Sequence, residues 1–344
     1  MVEIFSQMLI DVLIIVVSFL ALNYSSNLTI NNAVKVATAT GLGKTSIGFS
    51  LIAFSTSLPE LTVALIAAFS GGSALSAGNV LGSNIVNICV TVGLAALLVY
   101  YYTTRSKAPN PNVSKLSNGN IFASFAEPEM KSIYFGLFIS SLIPVILIYI
   151  SNATWVVGLI LIGIFVGYMY QLSKVRIPPE NGDEAASEQE KHKLKIIILT
   201  ITGALGVVAS AYFLVQSAVS IAQSAGLSQQ VIGATIIALG TSLPEITIGL
   251  KSILGGHSGL AFGDIIGSSF VNITLILGVT LFVPALVGSP ILLSTDVFQS
   301  LILFSIITNM LFWYFLSRKQ MGKNEGILFL FIYVLFIVIT IGEI

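Results

Sequence analysis

Charge is scarce in this chain. Lys, Arg, Asp and Glu make up 9% of its 344 residues, against roughly a quarter in soluble globular proteins. That deficit excludes an ordinary water-soluble domain. The formal net charge of zero implies neither a nucleic acid nor a partner protein. Cysteine occurs once, at Cys89 inside an apolar run, which excludes an intrachain disulfide framework. Histidine occurs twice, at His192 and His257. A His-Glu-x-x-His zinc motif is therefore missing, and no Lys or Arg lies mid-span to serve as the base of a serine nucleophile. These absences leave no catalytic constellation and no cofactor motif, so an enzyme is not expected. A basic N-terminal region is missing too, since Met1–Ser6 carries Glu3. The first apolar stretch is expected to remain as a span rather than be cleaved.

What the chain has in abundance is hydrocarbon: 55% hydrophobic residues and a mean hydropathy of +0.97. Continuous apolar runs recur at the roughly 20-residue length that crosses a bilayer. In lipid, only helices or closed barrels satisfy the backbone, and runs without alternation read as helices. The fold class is an all-α polytopic membrane protein of about ten transmembrane helices. They are expected near Gln7–Ala39, Thr45–Phe69, Leu75–Tyr102, Lys131–Ile150, Trp155–Leu172, Leu194–Ala225, Gln230–Leu254, Leu260–Ala285, Asp296–Ser317 and Gly326–Ile344. With both termini outside, all fifteen Lys and Arg residues fall on the inner side, as the positive-inside rule requires. This predicts a multi-pass protein of the cell membrane. The long inner connections Thr103–Met130 and Ser173–Lys193 read as solvated linkers. The acidic run Glu180, Asp183, Glu184, Glu188 and Glu190 lacks the spacing of a calcium loop.

The stretch 51–93 recurs as 236–278 at an unbroken offset of 185, with about nineteen of forty-three aligned pairs identical. Five spans separate the copies. An odd number per unit inverts the second unit in the membrane, an architecture whose sites lie at the repeat interface, near the midplane, on discontinuous helices. The chain thus divides into a first five-helix repeat, 1–172, a cytoplasmic linker, 173–193, and a second five-helix repeat, 194–344.

Each copy places polar residues inside apolar helices. Thr56, Ser57 and Glu60 lie on the second span and Asn79, Ser83 and Asn87 on the third. Thr241, Ser242 and Glu245 lie on the seventh, and Asp264, Ser268 and Asn272 on the eighth. Spacings of four put each triplet of the third and eighth spans on one helical face. An ionisable residue in a span is costly and marks function. Two carboxylates meeting at a repeat interface repel unless a cation or proton sits between them. Calcium takes six to eight oxygen ligands, and the hydroxyls of Ser57, Ser83, Ser242 and Ser268 add ligands suited to sodium.

Pro59 and Pro244 remove backbone donors, so carbonyls near Ala53–Thr56 and Ala238–Thr241 are expected to be freed toward an ion path. The same Ser-Leu-Pro-Glu segments also read as capping boxes. Gly78, Gly82, Gly263 and Gly267 read as a close-packing stripe. Asp264 fits an entrance role as well as direct ligation, Asp11 fits an interfacial residue, and His257 a solvated inner turn.

Ser-Leu-Pro-Glu followed by Gly-Asn-Val-Leu-Gly-Ser-Asn-Ile-Val-Asn, then Ser-Leu-Pro-Glu followed by Gly-Asp-Ile-Ile-Gly-Ser-Ser-Phe-Val-Asn, resembles the paired α-repeats of the cation/calcium exchanger superfamily. The likeness is greatest to archaeal sodium/calcium exchangers. The resemblance implies Glu60 and Glu245 as central carboxylates shared by calcium and sodium, with hydroxyls from Ser57, Ser83, Ser242 and Ser268. It implies Asn87 and Asn272 in the central layer, and mainly backbone carbonyls from Thr56, Thr241, Ala53 and Ala238. It also implies exchange of Ca2+ for Na+, with the first and sixth helices sliding to switch access. Three positions depart from the pattern: Ser55 stands for Gly, Ser269 for Asn, and Asn272 for an acidic residue. The alternatives are a proton/calcium exchanger of the same superfamily and, more remotely, a passive cation channel.

Overall fold

The computed structural model describes residues 2–70, 73–104, 127–149, 152–174, 192–224, 238–286, 288, 293–294 and 299–342. Most of both long linkers, the acidic run Glu180–Glu190 and the expected start of the seventh span lie outside the described residues. The first half comprises α1 (Val2–Thr40), α2 (Lys44–Ile47), a π-helical turn Gly48–Ile52, α3 (Ala53–Thr56), α4 (Leu58–Ser70), α5 (Ser73–Val86), a second π-helical turn Asn87–Val92, α6 (Gly93–Thr104), α7 (Glu127–Tyr149) and α8 (Trp155–Leu172). The second half comprises α9 (Lys193–Ser224), α10 (Ala238–Thr241), α11 (Leu243–Leu254), α12 (Ser258–Val271), a π-helical turn Asn272–Ile276, α13 (Leu277–Leu286), α14 (Gln299–Ser317) and α15 (Lys323–Gly342). The only strands among the described residues are Asn152–Ala153 and Leu293–Ser294, paired antiparallel.

Seven helices among the described residues are long and apolar enough to cross a membrane: Gln7–Thr40, Ser76–Thr104, Trp155–Leu172, Lys193–Ser217, Ser258–Leu286, Gln299–Ser317 and Lys323–Thr340. Two of the other three expected spans are interrupted, at Ser57 and Ser242. The third is the uninterrupted helix α7. Pro144 within α7 cannot donate to the carbonyl of Ser140 four residues back. Asn309 Nδ2 on α14 donates to it instead, at 3.0 Å.

The two repeat helices form the centre. Ser76–Thr104 and Ser258–Leu286 are each 67% buried over their most apolar window, against 17–39% for the other five. Around them, α1 and α9 pack along one another, and Leu9, Leu13, Val17 and Leu20 of α1 point outward. In lipid an outward apolar face needs no cover.

Gly263 and Gly267 of the glycine stripe pack closely, and Gly82 does not. A Cβ on Gly263 would strike the carbonyl of Thr45, and one on Gly267 the backbone of Phe49. On Gly82 it would meet nothing within 4 Å, so the close approach expected there is not made.

Candidate functional site

Four helix interruptions fall at matching positions. Ser57 breaks the first (φ −82°, ψ 10°) and Ser242 the second (φ −88°, ψ 2°), each with proline two residues on. The π-helical turns begin at Asn87 and Asn272. All four sit at the 185-residue offset, and π-helical turns of this kind concentrate at functional sites. Each interruption aims side chains inward that a regular helix would distribute around its axis.

The capping-box reading is not what forms. Ser242 makes no side-chain cap, and Ser57 Oγ instead donates across to Glu245 Oε1 of the other repeat at 3.4 Å. Ser83 Oγ donates to Glu60 Oε1 at 3.4 Å. The threonines reach across symmetrically. Thr56 Oγ1 lies 3.3 Å from Asp264 Oδ1 and 3.4 Å from Ser268 Oγ, while Thr241 Oγ1 donates to Asn79 Oδ1 at 3.4 Å. Glu245 is within electrostatic reach of both Glu60 and Asp264.

Burial is nearly complete: Thr56, Ser57, Glu60, Ser83, Asn87, Ser242, Glu245, Asp264, Ser268 and Asn272 are all at most 2% exposed. Within this cluster Glu60 Oε2, Glu245 Oε2, Asp264 Oδ2, Asn272 Oδ1, Ser242 Oγ and both amide atoms of Asn87 have no protein hydrogen-bond partner. Each such atom costs about 1–3 kcal/mol when buried unsatisfied. An oxygen-rich set with buried carboxylates is suited to hold a hard cation. The carbonyl of Ala53 accepts from Ser57 N–H at 3.0 Å and lies 3.2 Å from Thr56 Oγ1, so in this conformation it is engaged rather than freed. Ala238 opens α10.

The sequence profile of the sodium/calcium exchanger protein family matches residues 10–174 and 195–342. The chain belongs to the sodium/calcium exchanger family. Among relatives of this exchanger, the sodium/calcium exchanger MaX1 of Methanosarcina acetivorans is 27% identical over 96% of this chain and 98% of its own. Membrane protein MJ0091 of Methanocaldococcus jannaschii is 28% identical over 91% and 92%. The solved structure of the sodium-calcium exchanger NCX_Mj soaked with 10 mM Na+ and zero Ca2+ matches with a TM-score of 0.76 at 25% identity, covering 96% of this exchanger and 99% of that chain.

Asp11 stands differently from expectation, and Asp264 joins the cluster. Asp264 is fully buried and bonded into the cluster rather than placed at an entrance. Asp11 is buried at 4% and clasps two helices, accepting from Ser220 Oγ of α9 at 2.6 Å and from Gln7 Nε2 at 3.3 Å. His257 is partly buried in the turn ahead of α12. Asn84 was missed altogether, because it lies off the four-residue stripe of Asn79, Ser83 and Asn87. Its signal was that it is polar in an apolar helix and aligns with Ser269 at the repeat offset.

Proposed function

We propose that this protein is a secondary active antiporter that exchanges Ca2+ for Na+ by alternating access, with both ions bound at mid-membrane between two inverted five-helix repeats. Residues 1–172 and 194–344 are the repeats, 173–193 is a cytoplasmic linker, and both termini face outside. The observation that carries this reading is the buried cluster in which Glu60 and Glu245, from opposite repeats, each keep an unpartnered carboxylate oxygen. Ser57, Ser83, Ser242, Ser268, Asn87 and Asn272 add neutral oxygens, and Thr56, Thr241, Ala53 and Ala238 complete the surroundings. Two carboxylates in low dielectric demand a counter-charge. A divalent ion supplies it at once, and sodium ions supply it in instalments, which is the electrostatic basis of exchange. With Asn272 neutral, Asp264 contributes the third negative charge on the side of Thr56.

Access from one side at a time has its own support. Thr56 and Asp264 at one end are fully buried, whereas Thr241 and Asn79 at the other end are partly exposed. By the distribution of basic residues the exposed end faces outside.

The test is calcium-45 uptake into proteoliposomes preloaded with sodium, compared with potassium-loaded vesicles at equal pH. Sodium-dependent uptake is expected. Uptake driven by a proton gradient alone would assign the protein to proton-coupled exchange, and uptake needing neither gradient would make it a channel.

A further inference from the structure

Asn84 is 1% exposed and bonded on both sides. Its Nδ2 donates to the backbone carbonyl of Ser269 at 3.4 Å, and its Oδ1 accepts from Asn272 Nδ2 at 3.1 Å. One fixed point settles the orientation of both amides. A backbone carbonyl only accepts, so the group that Asn84 turns to Ser269 is its NH2. Its oxygen then faces Asn272, which answers with its own NH2. Asn272 Oδ1 is thereby turned away from Asn84, to a buried position with no protein hydrogen-bond partner.

The equivalent arrangement in the other repeat is broken. Ser269 stands where Asn84 would be, and its hydroxyl donates to Ile265 O of its own helix at 3.1 Å. Both amide atoms of Asn87, the counterpart of Asn272, lack a partner.

We propose that Asn84 is the positioning residue that makes Asn272 a one-sided oxygen donor to the transported cation, while Asn87 is left free to turn. The inference rests on the ion-binding reading above. A reversed Asn272 amide would direct N–H groups, rather than the carbonyl oxygen, at a cation. Aspartate at 272 has no such wrong face, since both its atoms are oxygens, and its contact with Asn84 Oδ1 would be repulsive.

The test is a double-mutant cycle on the full chain, Asn84→Ala against Asn272→Asp, read as the dissociation constant for Ca2+ from calcium-45 binding to purified protein. Asn84→Ala alone is expected to weaken binding roughly tenfold, a coupling of the size found between directly bonded residues. In the Asn272→Asp background the same change is expected to leave affinity within about twofold or to improve it. Equal losses in both backgrounds, or full affinity in a folded Asn84→Ala protein, would overturn the proposal. If Asn84→Ala is not monodisperse on size exclusion, Asn84→Ser, the residue the second repeat carries at this position, enters the same cycle. Wild-type protein that binds calcium without sodium-driven uptake would sink the antiporter reading and leave the cycle intact. An additive cycle in a working exchanger would sink only the role of Asn84.

Discussion

The two ends of the polar cluster differ more than its middle does. At one end Thr56 meets Asp264, an acid that is fully buried; at the other Thr241 meets Asn79, an amide that is partly exposed. Between them Glu60 and Glu245 occupy equivalent places with equivalent orphaned oxygens. The repeat therefore supplies a symmetric frame, and substitutions at a few positions make it directional.

The largest effect is expected from breaking the symmetric middle. Glu60→Gln or Glu245→Gln removes one of two facing charges while keeping shape, and calcium-45 uptake should fall to background with the protein still monodisperse. Retained uptake in either variant would move the site elsewhere. Next in size is Asp264→Asn, which makes the two ends alike. Calcium affinity should fall about tenfold or more, and because Coulomb energy scales with ionic charge, the logarithmic loss for sodium should be about half that for calcium. Equal losses for the two ions would show that Asp264 acts through packing.

A smaller effect separates the glycines. Gly267→Ala drives a methyl into the Phe49 backbone, an overpacking that should cost about 1–3 kcal/mol. Gly82→Ala, at the equivalent position with open space around it, should be neutral or stabilising by up to about 1 kcal/mol from helix propensity. Thermal unfolding in detergent reads both. The smallest change is Ser220→Ala, which removes the bond to Asp11 and should cost about 0.6 kcal/mol, typical of interhelical hydrogen bonds in membranes. A larger loss would mean that the clasp holds α1 to α9 more firmly than one bond can.

Much of this is legible in the sequence. The repeat offset located the breaks at Ser57 and Ser242 because proline and polar residues in apolar helices have few other uses. Four-residue spacing correctly grouped Asp264, Ser268 and Asn272 on a buried face. What spacing could not reveal was partnership across repeats. Ser57 reads locally as a cap, yet its hydroxyl donates to Glu245 of the other repeat. Asn84 was invisible for the same reason: its meaning lies in Ser269 and Asn272, far away in sequence. The glycine stripe misled at Gly82 because small residues permit close packing without specifying which helix takes it up.

The central claim, that the cluster around Glu60 and Glu245 holds the exchanged ions, is tested most directly by calcium-45 binding to purified protein titrated with sodium. The account requires saturable calcium binding that sodium displaces, and its loss in Glu60→Gln and in Glu245→Gln alike. Sodium-sensitive calcium binding that survives both substitutions would contradict it.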